Sequence, residues 1–333
     1  MVEFFLIFAV ALLFSVIATP LARRLALTTG IVDAPSSRKL HTEPTPLLGG
    51  AAIYAAFVVA LLLFGRRAEV RQMIAILVGA TSVSIIGVVD DARGLNPSLK
   101  LLGQLGAAAI IIVSGLRVHL FPWEAVNIAL SLLWIIGITN ALNLLDNMDG
   151  LTGGVAAIGA AHFLLLAALN GQYLVGALSA ALLGACIGFL RYNFNPASIF
   201  MGDTGALFIG FVLAAVGIKL RFTNTYVVTW MVPLVVLLLP IFDTTLVVVS
   251  RLRRRANPFT LPGKDHLSHR LVALGLTRRE AVLVCWLISS SAGMVAVFLT
   301  QAPVGGAYLL AALLLTGGAY AIWWLERREF RDL

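Results

Sequence analysis

The stretch EAVNIALSLLWIIGITNALNLLDNMDGL, residues 124–151, decides the fold. It starts as an apolar run long enough to cross a bilayer as a helix, and it ends in amides and carboxylates. Asn140, Asn143 and Asp146 recur every three positions, so a continuing helix places them on one slowly rotating face. Because polar groups at the edge of an apolar core are costly without partners, a functional role is favoured over packing.

The rest of the chain repeats this arrangement of apolar segments with polar ends. Its 333 residues are 60% hydrophobic and 12% charged, and the mean hydropathy is +0.96. This composition excludes a soluble globular protein and predicts an all-α polytopic membrane protein, with residues 1–333 forming a single integral-membrane catalytic domain. We expect about eleven transmembrane helices, near residues 4–22, 48–64, 70–89, 100–116, 124–144, 151–169, 172–190, 203–219, 226–250, 281–299 and 303–325.

The distribution of charge predicts the orientation. Of the 24 Lys and Arg residues, eighteen fall on one side of these segments and six on the other. By the positive-inside rule, the N-terminus is outside, the C-terminus is cytoplasmic, and the protein is a multi-pass protein of the cell (inner) membrane. Thirteen of the 16 acids lie on the same cytoplasmic side, which we expect to hold the active site. The net charge of +8 then reflects topology and anionic lipids, with no nucleic-acid partner.

The first apolar segment carries Glu3 and lacks a basic region before it. We therefore expect a retained membrane span and not a cleaved signal peptide.

Adjacent acids mark the loop after the third segment. Asp90 and Asp91 repel each other at a membrane edge unless a cation or hydrogen bonds offset the repulsion, so this pair is interpreted as functional. Lys100, one turn into the next segment, is either an anchor that snorkels to the membrane surface or a phosphate contact. Asp203 opens the eighth segment, where it is equally well read as a helix cap or a metal ligand.

Two further loops carry polar candidates. Gly49-Gly50 ends the first loop and allows backbone to approach closely at the start of the second segment. In the longest and most basic loop, an arginine run favours membrane anchoring, whereas His266, His269 and Arg270 suit binding to a diphosphate. A zinc site there is the weaker alternative, because no third and fourth ligands of matching type are evident.

Five motifs, taken in order, resemble the polyprenyl-phosphate N-acetylhexosamine-1-phosphate transferase superfamily. They are D-x-P followed by the glycine pair (33–50), DD followed by NPSLK (90–100), NALNLLDNMDGL (140–151), FNPASIFMGDTG (194–205) and the basic loop with its histidines (264–270). The resemblance extends from Asp33 to about Arg279. Each motif is weak alone, but five in order on one expected membrane face make a specific signal.

The resemblance implies an activity and its partners. Enzymes of this superfamily transfer a sugar-1-phosphate from a UDP-sugar to a membrane polyprenyl phosphate, release UMP and require Mg²⁺, for which we expect Mn²⁺ to substitute. Here it implies transfer of GlcNAc-1-phosphate to undecaprenyl or another polyprenyl phosphate, which primes a cell-envelope glycan such as lipopolysaccharide or teichoic acid. UDP-sugar, polyprenyl phosphate and membrane lipids are the expected partners, and a homodimer is the expected assembly if copies associate.

The resemblance also assigns residues. Asn143 and Asp203 resemble the metal ligands, Asp149 resembles the uridine contact, and Asp90-Asp91 with Lys100 resemble the group that meets the lipid phosphate. The full expected set is Asp90, Asp91 and Asp146 as catalytic residues, Asn143 and Asp203 as metal ligands, and Lys39, His41, Lys100, Asn140, Asp149, His266, His269 and Arg270 as substrate-binding residues.

Two features separate branches of the superfamily. Many GlcNAc-type members carry His-x-His-His in the last loop, where this chain has Ser268 in the middle position. Enzymes that act on UDP-MurNAc-pentapeptide typically have a contiguous histidine run followed by an acid, and ten spans, so the GlcNAc branch fits better. Both single displacement and a two-step route through an aspartyl nucleophile remain open.

Three alternatives to this assignment are retained. The donor is another UDP-N-acetylhexosamine or UDP-MurNAc-pentapeptide, or the protein is a lipid-linked glycan transporter or flippase. The transporter is disfavoured because carriers place ionisable groups near the bilayer midplane, whereas here they lie at segment ends.

Overall fold

The computed structural model describes residues 1–33, 44–65, 69–257 and 263–328. This part of the chain divides into two compact units, Met1–Leu220 and Arg221–Leu333. Lys39 and His41, two of the expected substrate-binding residues, lie outside the described residues. That residues 1–333 form one catalytic domain stays a prediction.

The first unit contains eight helices and a minimal strand pair among its described residues. The elements are α1 (Val2–Thr29), β1 (Val32–Asp33), β2 (Thr45–Pro46), α2 (Gly49–Phe64), α3 (Val70–Arg93), α4 (Pro97–Val113), α5 (Glu124–Leu145), α6 (Leu151–Leu169), α7 (Tyr173–Asn193) and α8 (Gly202–Lys219). Helix α8 is buried on all sides and packs against α2, α3, α5, α6 and α7. A helix that is apolar all round belongs in the middle of a bundle, and this one forms the core of the unit.

The second unit is also helical. Its elements are α9 (Tyr226–Val236), α10 (Leu238–Arg253), α11 (Leu267–Ala273), α12 (Arg278–Leu299) and α13 (Val304–Arg327). Helix α12 packs against α9, α10 and α11. It begins with a capping box, in which the side chain of Thr277 accepts from Glu280 N and the Glu280 carboxylate accepts from Thr277 N.

The described helices confirm an all-α polytopic membrane protein. Eight of them are long and apolar enough to cross a membrane, α9 with α10 passes the same test as a bent pair, and α2 and α4 are shorter apolar helices. Each of the eleven segments expected from the sequence coincides with one of these helices or with the bent pair.

The ninth expected segment, 226–250, is not a single straight helix. It breaks at Leu237, and the axes of α9 and α10 differ by 73°. Pro240 has no N–H to donate to the carbonyl of Val236, and its ring would clash with that carbonyl in a continuous helix. The hydropathy of this stretch shows that it is apolar but does not indicate where the helix breaks.

The glycine pair performs the close approach that the sequence predicted. Gly49 N donates to Phe200 O at 3.0 Å and Gly50 N donates to Met201 O at 2.9 Å, which ties the start of α2 to the start of α8. A Cβ on Gly50 would lie 2.0 Å from Gly205 N, so no other residue fits without displacing backbone.

We therefore expect Gly50→Ala to destabilise the protein by about 1–3 kcal/mol, because an added methyl group forces α2 away from α8. The measurement is thermal unfolding in detergent. Gly137→Ala is the matched control, since a Cβ on Gly137 of α5 meets nothing within 4 Å and alanine favours the helix. Equal melting temperatures for the two variants would contradict the proposed contact.

Candidate functional site

Four helix ends meet in the first unit and form the candidate active site. The last turn of α3 carries Asp90 and Asp91, and α4 contributes Lys100 from its first turn. The last turn of α5 contributes Asn143 and the first turn of α8 contributes Asp203. Lys100 and Asp203, which are separated by more than a hundred positions, thus come into direct contact.

Lys100 lies at the centre of this cluster. Its ammonium group donates to Asp90 Oδ2 at 3.0 Å and also contacts the carboxylate of Asp203. The three side chains are only 17%, 18% and 26% exposed. Lys100 therefore points at carboxylates and does not act as a snorkelling anchor in this structure.

Asp203 has a second polar partner. Asn143 Nδ2 donates to Asp203 Oδ1 at 2.9 Å. The side chain of Asp203 does not cap its own helix, because its hydrogen bonds run sideways to α4 and α5. The sequence left two roles open for Asp203, a helix cap or a metal ligand. This geometry argues against the cap and leaves the carboxylate available to bind a cation, which here is the ammonium of Lys100.

The cap of α8 comes from Asp91, on another helix. Asp91 Oδ1 accepts from Asp203 N at 2.8 Å, and Oδ2 accepts from Thr204 N at 3.0 Å and from Thr204 Oγ1 at 2.6 Å. Gly202 makes room for it, since its φ is +65° and a Cβ there would lie 2.4 Å from Asp91 Oδ2. A carboxylate at a helix N-terminus satisfies free N–H groups and faces the positive end of the dipole.

Asp90 also organises the turn between α3 and α4. Its Oδ1 accepts from Leu95 N at 2.6 Å, while Oδ2 accepts from Lys100. At the start of α4 the side chain of Asn96 accepts from Ser98 N at 2.9 Å. The acidic pair is thus divided between two tasks, with Asp90 holding the lysine and Asp91 holding α8.

The loop after α5 is bonded to the loop before α8. Asp149 Oδ2 accepts from Asn195 Nδ2 and from Ala197 N, both at 3.0 Å. Asn193 Oδ1 accepts from Gly150 N at 3.0 Å, and its Nδ2 donates to Ile199 O at 3.0 Å. Asn193 and Asn195 were not singled out from the sequence, although Asn195 lies within the FNPASIFMGDTG motif.

Asp146 follows the last residue of α5 and is half-buried. Burial, together with the negative charges of Asp91 and Asp149, raises the pKa of Asp146 from its ordinary value to about 7. A carboxyl group that titrates near neutral pH can exchange a proton under working conditions, as a general base or acid must.

One turn deeper than Asn143, an amide pair joins α4 and α5. Asn140 Nδ2 donates to Gln104 Oε1 at 2.6 Å and to Ile136 O at 2.8 Å. Gln104 is 3% exposed. Gln104 was not among the site residues expected from the sequence. Its spacing of four residues from Lys100 places both on one face of α4 and was the signal that could have found it.

The histidines lie in the second unit. His266 Nδ1 is 2.7 Å from Asp243 Oδ2, and Leu267 N donates to Asp243 Oδ1 at 2.7 Å. The ring of His269 is 6.3 Å from that of His266 between centroids. Burial, and then electrostatic interactions with His266 and Lys264, lower the pKa of His269 to about 4, so this ring is neutral at pH 7.

Arg270 is fully engaged inside the second unit. Its guanidinium donates to Asp265 O at 2.9 Å, Leu325 O at 3.1 Å, Ser250 Oγ at 3.0 Å and Glu326 Oε1 at 2.5 Å. A contact from Arg270 to a diphosphate stays a prediction, and these bonds would have to be exchanged for it.

The donors around Lys100 suit a hard divalent cation. Among the described residues, no group of three or more His, Cys, Asp or Glu side chains is arranged to hold a metal ion. Mg²⁺, however, is usually held by one or two carboxylates with substrate phosphates and water completing its shell. Asp203, Asn143 and Asp90 supply oxygen atoms of this kind, so the residues fit a magnesium ion that arrives with a phosphate ligand.

Comparison with known proteins places the cluster in a family. Residues 73–221, which run from within α3 to just beyond the end of α8, match the model of glycosyl transferase family 4. The chain is 38% identical over 315 residues to the probable undecaprenyl-phosphate N-acetylglucosaminyl 1-phosphate transferase of Bacillus subtilis, covering 91% of this chain and 87% of that protein.

Two other relatives align with different shares of the chain. The decaprenyl-phosphate N-acetylglucosaminephosphotransferase of Mycobacterium leprae is 31% identical over 366 aligned positions, covering 98% of this chain and 92% of the relative. The phospho-N-acetylmuramoyl-pentapeptide-transferase of Bacillus cytotoxicus is 34% identical over 240 residues, covering 64% of this chain and 73% of the relative.

The similarity to the first two relatives extends over nearly the whole chain, and the resemblance inferred from the five motifs is confirmed. This chain belongs to glycosyl transferase family 4, within the superfamily of polyprenyl-phosphate N-acetylhexosamine-1-phosphate transferases.

Proposed function

We propose that this protein transfers GlcNAc-1-phosphate from UDP-GlcNAc to a polyprenyl phosphate such as undecaprenyl phosphate. The products are UMP and a polyprenyl-diphosphate sugar that primes a cell-envelope glycan. The observation that carries the proposal is 38% identity, over 91% of the chain, to a relative named for this transfer. The cluster around Lys100 supports it, because it lies inside the family segment and presents charges suited to phosphate chemistry.

The proposed setting is the cell inner membrane, crossed eleven times. Eight helices, the bent pair of α9 and α10, and the shorter α2 and α4 would make up the eleven spans. The excess of Lys and Arg on one side supports an outside N-terminus and a cytoplasmic site.

Phosphoryl transfer between two anions requires charge neutralisation and placement more than covalent help. Asp203 and Asn143 would hold Mg²⁺, with Asp90 beside them. When bound, this ion would neutralise the diphosphate of the donor and polarise its phosphorus. Lys100 would present its ammonium to the acceptor phosphate. Asp149, whose hydrogen bonds stabilise the loop before α8, would contact the uridine of the donor.

Asp146 and Asp90 are the proposed proton handlers. The pKa of Asp146 near 7 suits a group that takes a proton from an acceptor phosphate. Asp91 accepts three hydrogen bonds at the start of α8, which makes it a poor nucleophile. We therefore favour direct attack by the polyprenyl phosphate and assign Asp91 a positioning role.

The direct test is release of UMP. Purified protein incubated with Mg²⁺, undecaprenyl phosphate and UDP-GlcNAc should yield UMP and a lipid-linked sugar in equal amounts. A donor panel with a second UDP-N-acetylhexosamine and UDP-MurNAc-pentapeptide decides the sugar. Absence of UMP with every donor would reject the transferase and favour a carrier.

Asp203→Asn should lower kcat/KM for UDP-GlcNAc by about 10²–10³, because it removes the charge that holds the ion and its phosphate ligands. Membrane insertion and melting temperature measured on the same preparation should change little. Glu69→Gln is the control, since Glu69 pairs with Lys219 away from the cluster and should keep near wild-type activity. Full activity of Asp203→Asn would remove it from the proposed site.

The raised pKa of Asp146 predicts how stability depends on pH. An unfolded Asp ionises near pH 4 and the folded one near pH 7, so the folded state is progressively penalised as pH rises through this window. Asp146→Asn should therefore melt at a higher temperature than wild type at pH 8, with the difference shrinking towards pH 5. If the variant and wild type differ in melting temperature by the same amount at pH 8 and at pH 5, the pKa of Asp146 is not raised in this way.

Asp243→Asn tests the proposed role of His266 in binding substrate. The amide offers an N–H to His266 Nδ1 in place of an acceptor, so the ring is expected to change tautomer. We expect kcat/KM to fall at least about tenfold, as when a histidine is held in the wrong tautomer. In a double-mutant cycle with His266→Ala the two losses should not add, whereas additive losses would show that Asp243 acts elsewhere.

A further inference from the structure

We infer that Lys100 is the counter-ion of Asp90 and Asp203 and competes with a divalent cation for Asp203, so that its ammonium has to leave this carboxylate when the cation binds. This inference rests on the proposed function and concerns how Lys100 and the divalent cation share the same carboxylates.

The contacts of Lys100 carry the inference. One ammonium group donates to Asp90 Oδ2 at 3.0 Å and contacts Asp203, so it lies where the two carboxylates converge. Asn143 donates its amide N–H₂, not its oxygen, to Asp203 Oδ1 at 2.9 Å. Lys100 and Asn143 both offer hydrogens to Asp203, whereas a metal ion would be met by the oxygen atoms of the carboxylate and of the amide.

Electrostatics makes the lysine and the metal ion competitors. Without a cation, Asp90 and Asp203 would repel each other in a partly desolvated site, and the ammonium removes that repulsion. A divalent cation bound to Asp203 would lie within a few ångströms of the same ammonium. Repulsion between like charges at that distance changes affinity by more than tenfold.

Lysine is suited to moving between partners. Its charge is a compact group on a flexible four-carbon stem, unlike the rigid fork of arginine. Once released from Asp203, the ammonium can remain on Asp90 and reach a phosphate. The acceptor phosphate therefore gives Lys100 a new partner at the moment when metal displaces it, so metal and acceptor phosphate should each strengthen the binding of the other.

The test is Mn²⁺ binding to the purified, substrate-free protein, followed by electron paramagnetic resonance. Lys100→Met keeps the length of the side chain and removes the charge, and it should bind Mn²⁺ at least about tenfold more tightly than wild type. Lys100→Arg keeps the charge and should stay close to wild type. Lys219→Met is the matched control, because Lys219 pairs with Glu69 outside the cluster, and its Mn²⁺ affinity should be unchanged.

Two further measurements locate and explain the effect. Adding Asp203→Asn to Lys100→Met should abolish the tighter binding, which ties it to this carboxylate. Addition of undecaprenyl phosphate, the proposed partner of Lys100, should tighten Mn²⁺ binding to wild type more than to Lys100→Met, because the variant has no ammonium to transfer to the phosphate. Melting curves for each variant establish that the protein remains folded.

The outcomes separate this inference from the proposed function. Equal or weaker Mn²⁺ binding by Lys100→Met, no binding by any variant, or tighter binding by Lys100→Arg as well, would overturn the counter-ion role, even if wild type releases UMP. If Lys100→Met alone binds Mn²⁺ more tightly while the wild-type protein releases no UMP from any donor, the counter-ion role is supported and the transferase is rejected.

Discussion

The carboxylate of Asp91 bonded to the first amides of α8 is the interaction on which the site depends. Helix α8 is buried on all sides, and its N-terminus carries Asp203 into the cluster. Without an acceptor from outside, the free N–H groups at this buried end would be left without partners, at a cost of roughly 1–3 kcal/mol each. Asp91 satisfies them and at the same time sets the direction in which Asp203 points.

A chain of polar contacts extends from this cap across the unit. Asp203 meets Lys100 and Asn143, and Lys100 in turn meets Asp90. In such a network each member is satisfied by another, which is what a polar cluster at the edge of an apolar bundle requires. The loops around it are held by Asp149 in the same way, so the site is assembled from helix ends and not from a flexible insertion.

Much of this could be predicted from the sequence, because apolar periodicity and motif order are local properties. The positions of the helices and the close approach at Gly49-Gly50 followed from them, whereas the convergence of Asp90, Lys100, Asn143 and Asp203 was implied by the family resemblance. The identity of the cap did not, because Asp203 is adjacent to α8 in sequence whereas Asp91 reaches it only through tertiary packing. The pairing of Asp243 with His266 was missed for the same reason, and the break before Pro240 was missed because hydropathy averages over it.

The burial of α8 also bears on how the protein is made. The helices of the first unit that pack most closely around it within the described residues, α2, α3, α5, α6 and α7, all precede it in the chain. During translation α8 is therefore synthesised after these neighbouring helices, which are already available to pack against it. A segment rich in small residues, with an acid at one end and a lysine at the other, then has protein to enter and need not rest against lipid alone.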